Sequence, residues 1–343
     1  MSAASTSTGT GAGTGTGTGT GTGAGAGADW LGSAGVTSRE RWVPPDSRRR
    51  LQLVLAGTWL LDGVLQYQSF MFTKGFSQML GAAAHGNPAI VAGPITWSAH
   101  LVGQHPVVMN TIFATTQLLL GLGIAWRPTV RLALAASIAW ALAVWWLGEG
   151  LGMVLTGSAS PADGAPGAVI IYALLAVLLW PASHDRPAPF VAGRSVGARA
   201  ARLLWLLLWG SLAILALQPG ARAPRALSGL ISGMASGEPG WLAAADGRLG
   251  ALLSNHGTAA GAVLAAVLIA VAAGVYLPPA AARGAVALAI TLAAAIWIAQ
   301  GLGGMLTGAG TDPDSGPLLA ILALAYWPAT QPGRTSPRPL DGR

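Results

Sequence analysis

Long apolar runs alternate with short polar or proline-containing segments along most of this chain. The runs extend for about 17 to 20 residues, which is enough for a helix to cross a hydrocarbon core of roughly 30 Å. The pattern therefore predicts an all-α integral membrane protein with about eight spans.

The eight predicted spans fall into two groups of four. In the first group they start at Leu51 and continue over His105–Trp126, from the Arg127-Pro128 turn to Leu147, and from Pro166 to Pro181. In the second group they cover Leu203–Gln218, His256–Leu277, Gly284–Gln300 and Pro317–Pro328. The last segment is short for a crossing. We expect short amphipathic helices in residues 71–104 and an irregular connection over residues 219–255.

The overall composition agrees with a membrane protein. Hydrophobic residues make up 52% of the 343 residues, charged residues only 9%, and the mean hydropathy is +0.56. Soluble domains carry roughly 25% charged residues. Cysteine is absent, which excludes disulfide exchange, thiolate metal sites and thiol nucleophiles.

The net charge of +7 comes from 18 Arg and one Lys, and these residues flank the apolar runs. In the predicted layout, 15 of them lie in segments on the side of the termini and four on the other side. Positive residues concentrate on the cytoplasmic side of membrane proteins, so both termini are predicted to be cytoplasmic. The sequence contains no basic patch interleaved with aromatic residues, so nucleic acid is not predicted as a partner. The predicted partner is the lipid bilayer.

These signals divide the chain into six segments. Residues 1–38 form a Gly/Thr-rich tail of the composition expected for disorder, and residues 39–50 form a basic juxtamembrane segment. Residues 51–182 and 203–329 are predicted to be two four-helix membrane repeats, joined by a cytoplasmic linker at 183–202. Residues 330–343 form a cytoplasmic tail.

The two membrane segments align without a gap at an offset of 151 residues. His105 falls on His256, Pro128 on Pro279, and the segment GEGLGMVLTG falls on AQGLGGMLTG. Each predicted repeat has an even number of spans, so both enter the membrane in the same direction, as parallel repeats. The second repeat is the less polar one, because Glu149 becomes Gln300 and Gln117 becomes Leu268.

Six polar residues of the first repeat are candidates for a ligand-binding pocket. Asp62 lies about 18 Å along its helix from Arg50, where an isolated carboxylate costs several kcal/mol. Ionisable groups inside a membrane are functional candidates, although a polar clamp between helices is the structural alternative. The candidate set is Asp62, Gln66, His105, Asn110, Gln117 and Glu149. Catalytic residues are not predicted. A Cu(I) site built from the first repeat's Met and His residues is a weak alternative, so no metal site is predicted.

The segment HPVVMNTIFATTQLLLGLGIAWRPTVRLA, with four spans per repeat and a long connection after the first, resembles DoxX-like membrane domains. That resemblance implies a bacterial multi-pass protein of the inner membrane. It implies that the protein engages quinone as a redox subunit or accompanies a redox partner protein. Two alternatives stay open: a membrane scaffold for a partner without chemistry of its own, and a transporter of a small molecule or lipid.

Overall fold

The computed structural model describes residues 46–181, 188–234 and 238–329. The predicted tails at 1–38 and 330–343, most of the basic segment at 39–50 and part of the linker lie outside the described residues. Within them the chain forms thirteen α-helices and no strand. In order they are α1 Ser47–Leu65, α2 Lys74–Ala82, α3 Ala89–Gln104, α4 Pro106–Ala125, α5 Val130–Leu147, α6 Ala168–Leu178, α7 Ala192–Val196, α8 Ala198–Ala216, α9 Ala226–Met234, α10 Gly240–Leu253, α11 Gly257–Gly274, α12 Pro279–Ala299 and α13 Ser315–Ala325.

Five of these helices are long and apolar enough to cross a membrane: α4, α5 with the turn before it, α8, α11 and α12. The prediction of an all-helical multi-pass membrane protein is therefore confirmed at this level. Helix α1 is 19 residues long but carries three arginines in its first turn and Asp62 near its end. Helices α6 and α13 have only 11 residues each.

The short helices α6 and α13 lie in the interior of the bundle and pack against each other. Eight of the 11 residues in each are buried, and Ile171, Leu175 and Leu322 have no exposed surface. At 1.5 Å per residue, 11 residues cover about 16 Å, roughly half of a hydrocarbon core. The fourth and eighth predicted spans thus correspond to buried half-length helices that other helices surround, and eight crossings stay a prediction.

Basic side chains gather where α1 begins and α4 ends. Asp46 caps α1 by accepting a hydrogen bond from the Arg49 N–H at 2.8 Å. The Arg49 guanidinium donates to the Ile124 carbonyl at 2.9 Å and to the Ala125 carbonyl. A cation that bonds the last carbonyls of a helix also interacts favourably with the helix dipole. Arg49 therefore joins the start of α1 to the end of α4, and we call this the basic end of the bundle.

Helices α1, α4, α5 and α6 pack in the same order as α8, α11, α12 and α13. Helix α1 packs on α4, α4 on α5 and α5 on α6, whereas α8 packs on α11, α11 on α12 and α12 on α13. The bounds of α1 and α8 both differ by 151 residues, and α4 and α11 begin 151 residues apart. One hydrophobic core, which includes Trp59, Tyr172, Trp205 and Tyr326, runs through both sets.

Two helices follow the first helix of each set. They are α2 and α3 after α1, as expected, and α9 and α10 after α8. The prediction of an irregular connection over residues 219–255 is wrong. Glycine lowers the helix propensity of this segment, but α9 and α10 pack closely enough to stabilise each other. A Cβ at Gly250 would lie 2.8 Å from the Ser232 Oγ, so glycine permits the approach.

The segments GEGLGM and AQGLGG both fold into a left-handed turn. Gly150, Leu151, Gly152 and Met153 have φ values of 57° to 64°, and residues 301–304 have φ values of 56° to 69°. Leucine occupies the left-handed region in both turns, at Leu151 and Leu302, where most non-glycine residues are strained. The repeated sequence thus encodes the same backbone twice, at the end of the bundle opposite the basic end, which we call the loop end.

Candidate functional site

A cavity of about 340 Å³ lies among α1, α2, α3, α4 and α5. Its volume is within the range of small-molecule sites, roughly 300 to 1,000 Å³. Five aromatic side chains line it, together with three carboxylic acids and two glutamines. They are Trp59, Phe76, Trp97, Phe113, Trp140, Asp62, Glu149, Asp312, Gln66 and Gln117. Four of the six residues predicted from sequence therefore meet in one cavity.

Asp62 and Gln66 lie one helical turn apart at the end of α1 and face the same side. Both are buried, with 1% and 4% of their surfaces exposed. The Asp62 Oδ1 and the Gln66 Oε1 each lack a hydrogen-bond partner among the described residues. The hydroxyl of Tyr172 on α6 lies close to Asp62 without meeting hydrogen-bond geometry. An unpaired buried polar atom costs about 1–3 kcal/mol, so these atoms mark a place for a ligand or water.

Helix α4 contributes Gln117 to the cavity wall and holds α1 through Asn110. The Asn110 side-chain amide donates to the Gln66 carbonyl at 2.6 Å, and Asn110 is fully buried. Its role is to join α1 to α4, beside the cavity and outside its lining. Gln117 is 8% exposed, and its Oε1 has no partner in the described part of the chain.

His105 does not join the site. It is exposed in the junction between α3 and α4, where it is the residue before Pro106. The sequence grouped it with the pocket because it begins the second span, but the break between the two helices turns its side chain outward.

Glu149 connects the cavity to the start of α6. Its Oε1 accepts a hydrogen bond from the Val169 N–H at 3.3 Å, in the first turn of that helix, while Oε2 has no partner among described groups. A carboxylate at this position satisfies an otherwise unpaired N–H and complements the helix dipole. Gln300 lies at the matching place before α13 and donates to the Ser315 Oγ at 3.3 Å. Both residues thus tie the left-handed turn to the following short helix.

Asp312 comes from the distant second half of the chain and completes the acidic wall of the cavity. Its Oδ2 accepts from the Thr311 hydroxyl at 2.9 Å, and its Oδ1 accepts from the Asp314 N–H at 2.7 Å. These bonds hold the carboxyl in place. The sequence did not single out Asp312, because the second repeat is the less polar one. At an offset of 151, Asp312 aligns with Pro161, which carries no charge.

The acids at the loop end influence one another. Burial raises the pKa of Glu149 well above its usual value, and the charge of Asp312 raises it further. The hydrogen bond from the Val169 N–H lowers this pKa, but by less. Burial also raises the pKa of Asp312, while its bonds from Thr311 and Asp314 lower it. Burial and the neighbouring Asp312 raise the pKa of Asp314 to about 7. The surroundings of these carboxyl groups therefore favour their protonated forms, and a nearby positive charge would oppose that effect.

A second cavity, of about 390 Å³, lies among α9, α10, α11 and α12. Its walls include Leu264 and Ala295, which are 151 residues from Phe113 and Val144 in the first cavity. Ser160 and Asp163, from the loop between α5 and α6, line its end. Each cavity is thus closed in part by a loop from the other half of the chain, but acids and amides line the first while small and aliphatic side chains dominate the second.

In the described part of the chain, no three His, Asp or Glu side chains lie close enough together to hold a metal ion. Comparison with protein-family models, with curated proteins and with solved structures finds no match for this chain.

Proposed function

We propose that this chain is a multi-pass membrane protein that binds a small amphipathic molecule in the acid-lined cavity of residues 51–182. One observation carries the proposal: a ligand-sized cavity holds buried polar atoms of Asp62, Gln66, Gln117 and Glu149 that have no partner among described residues. A structural clamp would pair these atoms with one another, and they are unpaired. The aromatic walls suit the apolar part of such a molecule.

The topology and the repeat belong to the same proposal. We propose eight membrane segments in two parallel four-helix repeats, with both termini in the cytoplasm and the loop end on the opposite side. The offset of 151 in sequence and in helix bounds supports the repeat. The arginines around Arg49, Arg127 and Arg199 support the orientation.

A quinone-binding redox subunit, or an accessory to a redox partner, is the second candidate function, and it comes from the DoxX-like resemblance. A quinone offers two carbonyl acceptors, which need donors in the cavity. Protonated Glu149 and the side-chain amides of Gln66 and Gln117 are the groups that would donate. The scaffold hypothesis accounts for the helix-joining bonds of Asn110 and Glu149 but leaves the unpaired buried atoms of the cavity unexplained.

Native mass spectrometry of the purified full chain tests the proposed function. We expect the wild type to carry a small-molecule adduct that Asp62→Asn and Gln117→Leu lose. Gln117→Leu installs the residue found at the matching Leu268, so a folded variant is expected. Asp163→Asn makes the same chemical change as Asp62→Asn at the other cavity and should retain the adduct. A wild type without an adduct, or an adduct that persists in both pocket variants, would contradict the proposal.

A further inference from the structure

The first cavity has more unpaired acceptors than donors. The unpaired lining atoms are the Oδ1 of Asp62, the Oε1 of Gln66 and of Gln117, the Oε2 of Glu149 and the Nε1 of Trp140. Glutamine amides can turn to present either atom, so only the two acids require a particular kind of ligand atom. A carboxylate only accepts hydrogen bonds. A ligand that satisfies Asp62 and Glu149 as carboxylates must therefore donate.

The cavity also lacks any positive charge of its own. Three acids line it, and no Lys, Arg or His appears among the described residues of its wall. Asp312 lies within electrostatic range of Glu149, and its charge raises the pKa of that carboxyl. Thr311 and the Asp314 N–H already hold Asp312 in place. A bound cation would favour the ionised form of these acids, a role that no side chain of the described lining supplies.

The distribution of the acids favours an organic cation over a metal ion. No three acidic or histidine side chains in the described ranges converge on one point, as a metal ion requires. Instead they border a cavity of about 340 Å³ whose other walls are aromatic, including Trp59, Phe113 and Trp140. Aromatic faces pack against an apolar body and attract a cation placed over them.

We propose that the occupant of this cavity is a protonated amine with an apolar or aromatic body. Its ammonium group would donate to the unpaired Oδ1 of Asp62, on the side of the cavity that Asp312 lines, and its body would lie against the tryptophans. This inference rests on the proposed function and specifies its ligand class. It also assigns Asp312, from the second half of the chain, as a residue that determines specificity for charge.

Calorimetric titration of the full-length protein in detergent tests this inference with two probes of equal size. Phenethylammonium carries the charge, and 2-phenylethanol is its neutral counterpart. We expect the wild type to prefer the ammonium by about tenfold or more, as for a charged hydrogen bond of ~1.5 kcal/mol or more. Asp62→Asn and Asp312→Asn should each remove most of that preference, whereas Asp163→Asn should retain it. Binding of the ammonium should tighten as the pH rises from 5 to 8, because the acids must lose protons.

The outcomes separate the two proposals. Equal binding of the two probes, or a preference that neither Asp62→Asn nor Asp312→Asn changes, would overturn the amine assignment. Binding of a short-chain benzoquinone in place of the ammonium would also overturn it, while the proposed small-molecule site would stand. If none of the three probes binds, and the wild type carries no adduct in native mass spectrometry, both the amine assignment and the small-molecule site would be overturned. Circular dichroism of each variant checks that the helices are retained, and Gln117→Leu provides a pocket variant that leaves all three acids in place.

Discussion

Single residues at the loop end combine helix capping with charge. Asp314 is the N-cap of α13, where its Oδ1 accepts from the Ser315 N–H at 2.5 Å. The same residue is partly buried beside Asp312, and its pKa rises to about 7. One side chain therefore stabilises a helix start and makes that stabilisation dependent on pH.

The stability of the protein should fall as the pH rises from about 4 to about 7. An unfolded Asp releases its proton near pH 3.9, but folded Asp314 keeps it to about pH 7. The folded state thus binds more protons across this window, and the free energy of unfolding decreases with rising pH. We expect Asp314→Asn to reduce the fall in the thermal midpoint, because Asn still caps the helix without titrating.

The comparison is made by thermal unfolding in detergent at several pH values. Asp46→Asn provides the control, because it makes the same change at the exposed N-cap of α1. An Asp314→Asn protein whose midpoint falls as steeply as that of the wild type would show that this carboxyl is not the source of the dependence.

At the scale of elements, the left-handed turn fixes where α6 begins. A Cβ at Gly152 would overlap the backbone carbonyl of Pro166, just before that helix. A Cβ at Gly157, later in the same loop, has no neighbour within 4 Å. Both glycines have positive φ values, of 64° and 76°, so an alanine at either position would strain the backbone to a similar extent. Only the contact at Gly152 differs.

We therefore expect Gly152→Ala to destabilise the protein by about 1–3 kcal/mol more than Gly157→Ala, the usual range for a forced overlap in a packed site. Denaturant or thermal unfolding followed by tryptophan fluorescence measures the difference. Equal effects of the two substitutions would mean that the turn can move away from Pro166, and that α6 is positioned by its core contacts alone.

At the scale of the whole molecule, orientation can be tested directly because the chain contains no cysteine. Ser158 is exposed at the loop end, and Ala280 is exposed at the start of α12, near the basic end. In intact cells, a membrane-impermeant maleimide should label Ser158→Cys and spare Ala280→Cys, since positive flanks stay in the cytoplasm. Labelling of Ala280→Cys alone would reverse the proposed orientation.

The two halves also depend on each other at this scale. The loop with Asp312 lines part of the cavity of the first half, and the loop with Asp163 lines part of that of the second. Gly164 has no side chain and lies beside the Asp314 carboxyl, where a Cβ would be 3.0 Å from it. The short helices α6 and α13 meet in the middle. The halves are therefore one packed unit, in which each site needs residues from the other half.

The sequence by itself determined the membrane class, the starts of α4 and α11 and the contrast between a polar first half and a less polar second half, whereas α1, α8 and α12 begin four or five residues earlier than the pattern predicts. Hydrophobic length and periodicity are properties of a single element, so α4 and α11 begin within a residue or two of the positions that the pattern predicts. Asp62 stood out for the same reason, as one charge within one apolar run.

Only the tertiary structure decided which side chains meet. It brought Asp312 to Asp62 across 250 residues of sequence, turned His105 outward, used Asn110 to join two helices and buried α6 and α13 in the interior. Contacts between elements arise from packing of complete helices and loops, and a pattern along one element does not encode them. The folded chain therefore determines the composition of the candidate site, although most of its members carry a signal in the sequence.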